Sequence, residues 1–233
     1  MEKQLFFSTN VKTPFENEEQ LMYEPFWQLG ILKNEETRMQ RIEALLGVNQ
    51  LQEERTKVRK QQQLQRDAIQ TALEVGFVTA WIGPSAGEEL AFMELAERLN
   101  HSERLTLRLV PGPLHIHERA PTLFTELAQQ PPLTKKEWSV MVPSFSNVEH
   151  KQLVERMDRF THEVRKDGYF DPEILEALRQ FKEPVPIEKV VATVYAQRPE
   201  YPVAFYFQRV SENIRKGYIK KEQQAIYLHD ELM

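Results

Sequence analysis

The stretch 77-FVTAWIGPSAGEELAFMELAERL-99 decides the fold of this chain, because its hydrophobic period changes in the middle. Residues 77–82 are apolar and β-prone, whereas the apolar residues of 90–99 recur at helical spacing. Downstream, 105-LTLRLV-110 alternates in polarity and ends at Pro111. A strand, a helix and a strand joined by short links predict a right-handed βαβ unit with parallel strands.

The same pattern predicts where a site would lie. Both strands of a βαβ unit point the same way, so the loops 83–87 and 111–118 leave the sheet at one carboxyl edge. Open α/β sheets usually bind ligands at that edge. The candidate ligand-binding residues are Gly83, Ser85, Gly87, Glu88, Glu89, His115, His117 and Glu118.

The turn 83-GPSAGEE-89 has three interpretations. A phosphate-binding loop would need a Gly-rich span ending in Lys-Ser/Thr or a G-x-G-x-x-G pattern, and neither is present. A nucleophile elbow would read G-x-S-x-G, whereas this turn has one extra residue and a proline before the serine. The favoured interpretation is structural, with Ser85 as the helix N-cap and Glu88 completing a capping box.

His115, His117 and Glu118 form a second candidate cluster. In an extended segment alternate residues project to one face, so the two imidazoles could hold one metal ion with Glu118 or a residue from elsewhere. Two histidines fall short of a complete site. Surface or core histidines are the favoured alternative, and the sequence identifies neither a metal nor a cofactor.

The first 125 residues are expected to form an α/β domain with a Rossmann-like parallel sheet. Residues 4–9 predict a strand, and a helix should start after Asn34 and stop at Gly47. Residues 49–75 contain no glycine or proline, and they are rich in the helix-forming residues Gln, Glu, Lys and Arg. One long helix is therefore predicted there.

Residues 126–233 are expected to form a helical, winged-helix-like domain after a Pro-rich boundary at 120–134. Thr134 and Glu137 form a capping-box pair. An apolar stripe between Leu153 and Val164 predicts a helix capped by Ser146 or Asn147. Further helices are predicted at 172–181 (after the cap Asp171), 187–196 and 203–216, followed by a strand, a turn and a strand.

A winged-helix-like outline raises the question of DNA. Residues 171–233 hold nine Lys/Arg and ten Asp/Glu, a net charge of about −1, whereas DNA-binding domains normally present a concentrated basic face. Nucleic-acid binding is therefore not favoured, and a structural or protein-contact role is preferred. The nucleic-acid candidates are Arg209, Arg215, Lys216, Lys220 and Lys221.

Composition limits the class of protein. The apolar fraction is 41% and the net charge is −5, from 30 basic and 35 acidic residues, which indicates a folded chain without a global nucleic-acid or membrane signature. There is no cysteine, and hence no disulfide or thiol chemistry. The sequence has neither a signal-peptide pattern nor a long apolar run, so we expect a cytoplasmic protein that does not bind membranes.

Four segments together resemble a bacterial family, domain of unknown function 1835, with its small C-terminal domain. They are 78-VTAWIGPSAGEELAFMELAERL-99, 24-EPFWQLGIL-32, 170-FDPEILEAL-178 and 205-FYFQRVSENIRKGYI-219. Members typically open with a strand and a Gly-Asp/Glu-Ser turn, which this chain lacks after MEKQLFFSTN. The resemblance implies the two-part organisation, and it brings no established activity and no catalytic residue.

Two functional hypotheses from different classes follow. The first is a non-catalytic protein that binds a ligand or partner, including another copy of itself, with the α/β part as sensor and the C-terminal part as output or docking surface. The second is a hydrolase or transferase that uses Glu88 or Glu89 as base and His115 or His117 as acid or metal ligand. The first is preferred because no strong catalytic signature is present. A DNA-binding regulator is a further alternative.

Overall fold

The protein has a mixed α/β fold with a four-stranded parallel sheet and eight α-helices in its described part. The computed structural model describes residues 2–7, 15–16, 19–25, 29, 35–45, 52–100, 102–111, 120–147, 153–199 and 201–229. In these ranges, no helix combines the length and the apolar character that crossing a membrane requires.

The central sheet has the strand order β2-β1-β3-β4, and every pair is parallel. Its strands are β1 (Glu2–Phe6), β2 (Gln20–Met22), β3 (Phe77–Ile82) and β4 (Leu105–Leu109). Helix α3 (Ala86–Arg98) connects β3 to β4. The predicted βαβ unit is confirmed.

Four further helices lie between residues 35 and 141: α1 (Glu35–Leu45), α2 (Gln52–Val75), α4 (Ala120–Ala128) and α5 (Lys135–Met141). The predicted long helix is confirmed as α2. The capping box at the start of α5 is also confirmed, because Thr134 and Glu137 make both of its hydrogen bonds. Helix α4 lies in the Pro-rich stretch that the sequence suggested only as a boundary.

Both faces of the sheet are buried, as expected for a parallel sheet. Successive residues of β3 point to opposite faces: Ala80 lies in the larger core together with Leu90 of α3, and Trp81 packs against Phe6 and Phe124. The Trp81 and Phe124 ring centroids are 5.0 Å apart. Trp138 of α5 joins the larger core and donates its indole N–H to the Leu105 carbonyl at 3.0 Å.

Residues 153–165 form an antiparallel hairpin of β5 (Leu153–Asp158) and β6 (Thr161–Arg165). The predicted helix is therefore wrong in this segment. A helical stripe would have buried Met157 and Val164, but both are largely exposed. Phe160 occupies the turn with a φ of 54°. Its backbone N–H donates to the carboxylate of Glu89, which lies 71 residues earlier in the chain. Tertiary contacts thus outweigh the local pattern.

Residues 171–228, called the C-terminal part from here on, form three helices and a small sheet. The helices are α6 (Asp171–Arg179), α7 (Ile187–Gln197) and α8 (Val203–Arg215), and the strands are β7 (Val185–Pro186), β8 (Ile219–Glu222) and β9 (Ala225–Leu228). The sheet order is β7-β9-β8, with both pairs antiparallel. The three predicted helices and the final strand-turn-strand are confirmed. Asp171 is not the N-cap of α6, because Phe170 precedes the helix and the Asp171 carboxylate binds Arg209 instead.

The β5–β6 hairpin joins the two cores. Leu153 packs in the core of the C-terminal helices, whereas Val154 and Phe160 pack in the core of the parallel sheet. The Tyr201 hydroxyl, next to α8, donates to the Val154 carbonyl at 2.9 Å. The hairpin therefore touches both parts of the molecule.

Candidate functional site

A cleft lies at the carboxyl edge of the parallel sheet, beyond the ends of β3 and β4. Its volume is about 190 Å³, and it is open to solvent on one side. One wall comes from the βα turn, another from the end of β4, and the third from the β5–β6 hairpin. The described residues that line it are Ile82, Gly83, Pro84, Glu89, Leu109, Val110, Pro111, Arg156 and Arg159.

The turn after β3 is held by its own side chains. Ser85 is the N-cap of α3, and its hydroxyl faces the Glu88 N–H at 3.5 Å. The Glu88 carboxylate does not close the predicted capping box on Ser85. It accepts the N–H of Gly83 at 2.6 Å instead. This bond folds the turn back onto the helix start, and it satisfies a buried backbone donor.

Glu88 has an unusual electrostatic environment. Burial raises its pKa from the usual 4.5 to about 7, with the Gly83 N–H opposing the rise and the charges of Glu89 and Glu24 adding to it. Burial dominates because a buried carboxylate loses its water of solvation. Glu88 therefore titrates near neutral pH, although it does not line the cleft.

Glu89 anchors the hairpin to helix α3. Its side chain is only 2% exposed, and it contacts three groups of the hairpin. Oε1 accepts from Arg156 Nε at 2.6 Å, and Oε2 accepts from the Phe160 backbone N–H at 2.9 Å. A charged carboxylate that receives such donors is strongly stabilised. The wall of the cleft that holds Arg156 and Arg159 is thereby fixed to the sheet.

His162 is the third group near Glu89. Its Nε2 lies 2.9 Å from Glu89 Oε2, and its side chain is 3% exposed. In the described structure, His162 Nε2 is buried and has no hydrogen-bond partner, so this contact is not a hydrogen bond. The contact becomes an ion pair only when the imidazole is protonated.

The described residues that line the cleft carry a net positive charge. Of the described lining residues only Glu89, Arg156 and Arg159 are ionisable, and the Glu89 charge is neutralised by Arg156. Arg159 is exposed at the tip of the hairpin, and the structure contains no ion pair between its guanidinium and a described acidic residue. One positive charge therefore remains for whatever enters the cleft.

The predicted site residues are only partly brought together. Gly83 and Glu89 line the cleft, and Ser85 and Glu88 build the turn beside it. Gly87 lies in the first turn of α3. The candidates His115, His117 and Glu118 lie outside the described residues.

Sequence reasoning missed the hairpin residues of the site. Arg156, Arg159 and His162 were placed on a predicted helix, and the charged run 155-ERMDRFTHEVR-165 was not connected to the sheet edge. One local signal for a strand was present, because Thr161 and Val164 of β6 are β-branched. No local pattern predicts that the hairpin contacts Glu89.

The nucleic-acid candidates are mostly engaged within the C-terminal part. Arg209 is 7% exposed and forms a bidentate pair with Asp171, at 2.9 and 2.8 Å. The other contacts are Lys216 with Asp171 at 3.2 Å, Arg215 with Glu212 at 2.7 Å, and Lys220 over the Tyr227 ring at 5.9 Å. Lys221 lies exposed on β8. The Arg209 charge in particular is directed into the fold.

A second cleft, of about 230 Å³, lies beside β4 and is lined by Arg108, Leu127 and neighbouring residues. Arg108 donates to the carbonyls of Leu127, Ala128 and Gln130 at the end of α4. It also lies over the Trp81 ring at 5.2 Å. The Arg108 guanidinium therefore caps the carbonyls at the end of α4. It has fewer free N–H donors for a ligand than the Arg159 guanidinium has.

The described residues contain no group of three or more histidines and carboxylates placed to hold a metal ion. Comparison of the whole chain with protein-family models, curated proteins and solved structures found no match.

Proposed function

We propose that the protein binds a small ligand in the cleft at the carboxyl edge of the sheet, without transforming it. The observation behind this proposal is the cleft itself, whose arginine-bearing wall is held in place by the buried Glu89. A preformed concave site at this edge of a parallel sheet is a common ligand position.

The chemistry of the lining favours binding over catalysis. The described lining has no serine, threonine or lysine that could act as a nucleophile. Glu89, its one carboxylate, already accepts from Arg156 and from the Phe160 N–H, so it is poorly placed to take a proton from a substrate. Among the described lining residues, the hydrolase or transferase alternative therefore has no free base.

We infer a cytoplasmic protein with a Rossmann-like α/β domain that senses the ligand and a winged-helix-like C-terminal domain that serves as output or docking surface. The β5–β6 hairpin supports this arrangement, because Arg156 and Arg159 border the cleft while Leu153 packs among the C-terminal helices. Membership of the domain of unknown function 1835 family stays a hypothesis alongside it.

The test is a thermal-shift screen of the purified protein with anionic, neutral and cationic metabolites, followed by calorimetry on any stabilising compound. Pro111→Trp, which adds bulk at the exposed rim of the cleft, should abolish binding. The matched control is Val140→Trp on α5, a largely exposed position that does not line the cleft. A compound that binds both variants equally would show that the cleft is not the binding site.

A further inference from the structure

The ligand class can be narrowed from the two arginines of the hairpin, and this step rests on the proposed function. We propose that the cleft binds a small organic anion whose carboxylate or phosphate group contacts Arg159 and Arg156, and whose short apolar body lies against Leu109 and Pro111.

The sign of the ligand charge follows from the lining. Arg156 is already paired with Glu89, whereas the Arg159 guanidinium pairs with no described carboxylate, because the neighbouring Asp158 carboxylate accepts the Arg159 backbone N–H instead. A cation would be repelled, and a neutral ligand would leave the Arg159 charge without a partner. An anion is therefore the favoured occupant.

The type of anion follows from the guanidinium group. Arginine presents its N–H donors in a planar fork that matches the oxygens of a carboxylate or phosphate. Arg156 uses Nε on Glu89, and the bond holds the rest of its guanidinium, in a side chain that is 22% exposed, at the cleft wall. Arg159 has its whole fork available for an oxyanion.

The size of the ligand follows from the volume. Pockets for drug-sized ligands measure about 300–1,000 Å³, whereas this cleft measures about 190 Å³. It therefore holds one charged group and a short body, with any larger remainder extending into solvent. Leu109 and Pro111 give the cleft a small apolar patch, since Val110 beside them is only 4% exposed, and this patch can contact a short hydrocarbon body.

The experiment uses three probes with the same four-carbon body: butyrate, butyl phosphate and the neutral butanol. Isothermal calorimetry on the full chain should show binding of at least one of the two anions and none of butanol. The stronger of the two identifies the charged group as carboxylate or phosphate. Acetate and inorganic phosphate should bind more weakly than their four-carbon counterparts, because they lack the apolar body.

Arg159→Ala should weaken the binding of the anion about tenfold or more, the usual effect of losing a charge-assisted contact. Arg159→Lys should restore part of the affinity, because the charge returns without the fork. Arg179→Ala, which removes an exposed and paired arginine of α6, is the control and should leave affinity unchanged. Arg159 is exposed, so the variant is expected to fold normally.

Failure of this inference is distinguishable from failure of the proposed function. If neither anion binds, but a neutral or cationic compound from the screen binds and is blocked by Pro111→Trp, the cleft is a ligand site and the anion inference is wrong. If no compound binds, both are wrong. Equal binding to wild type and Arg159→Ala would also overturn the inference.

Discussion

Arg156 Nε lies 2.6 Å from Glu89 Oε1, although the two residues are 67 positions apart in the chain. This ion pair fastens the β5–β6 hairpin to the first turn of α3 and so forms one wall of the edge cleft. The ion pair therefore ties the parallel-sheet core to the β5–β6 hairpin, and Leu153 of that hairpin also packs on the C-terminal helices.

Glu89→Gln should destabilise the protein by about 2 kcal/mol, because the charge that receives Arg156 Nε and the Phe160 N–H is lost. Urea unfolding at pH 7 measures the change. The control is Glu163→Gln on the same hairpin, whose side chain is 52% exposed and which should change stability by less than about 1 kcal/mol. Equal effects of the two changes would contradict the anchoring role of Glu89.

Stability should fall as pH rises through the titration of Glu88. Burial raises its folded pKa to about 7, so between pH 4.5 and 7 the folded state keeps a proton that the unfolded state has lost. The free energy of unfolding therefore falls progressively between pH 4.5 and 7, by about 3 kcal/mol in total, and stops falling above pH 7.

Glu88→Gln provides the measurement, because it removes the titration. The stability of the wild type minus that of the variant should decline between pH 5 and pH 7.5 in urea unfolding. Glu126→Gln, at an exposed position of α4, should leave the wild-type profile unchanged. A constant difference between wild type and Glu88→Gln over this range would contradict the raised pKa.

The buried Glu43 should stabilise the packing of α1 on α2. It is 1% exposed and accepts from Arg55 Nε and Arg59 Nε, each at 2.7 Å. Glu43→Gln should cost about 2 kcal/mol at pH 7. Glu36→Gln, which removes only the exposed partner of Arg59, should lower stability less than Glu43→Gln does.

The effect of Glu43→Gln should also depend on pH. Burial raises the pKa of Glu43, but the bonds from Arg59 and Arg55 outweigh burial and hold it below 4.5. The wild-type advantage is therefore complete above pH 4.5 and shrinks as pH falls through the lowered folded pKa. Thermal unfolding of the wild type and of Glu43→Gln is compared at pH 7 and pH 3. A stability difference that is larger at pH 3 than at pH 7 would contradict the lowered pKa of Glu43.

Arg209→Ala should destabilise the C-terminal part by about 3 kcal/mol, because it leaves the buried Asp171 without its bidentate partner. Arg215→Ala is the control, since the Arg215 side chain is 76% exposed, and its effect should stay within about 0.5 kcal/mol. Thermal unfolding followed by circular dichroism measures both variants.

A related measurement tests the nucleic-acid alternative. If Arg215 and Lys220 contact DNA, the double variant Arg215→Ala and Lys220→Ala should bind a short duplex more weakly and with a smaller salt dependence. Fluorescence anisotropy at low salt measures this. No affinity of the wild-type protein under those conditions would exclude a DNA-binding role for this surface.

The sequence by itself determined the elements whose signals are local. The change of period between residues 77–82 and 90–99 predicted the βαβ unit, and Ser85 marked the start of α3. The Thr134–Glu137 capping box marked the start of α5. In each case the deciding interactions lie within a few residues of chain, so a short window contains the whole physical cause.

Only the tertiary structure decided where the hairpin lies and, with it, the cleft. Residues 153–165 contain a helix-like apolar spacing, yet they pair as strands because Val154 and Phe160 are buried against the sheet and Phe160 N–H bonds to Glu89. The same contact places Arg156 and Arg159 at the sheet edge. The burial of the hairpin and its bonds to Glu89, about seventy residues away in the chain, outweigh a local helix preference of a few tenths of a kcal/mol per residue. No local sequence pattern predicts contacts between residues that far apart.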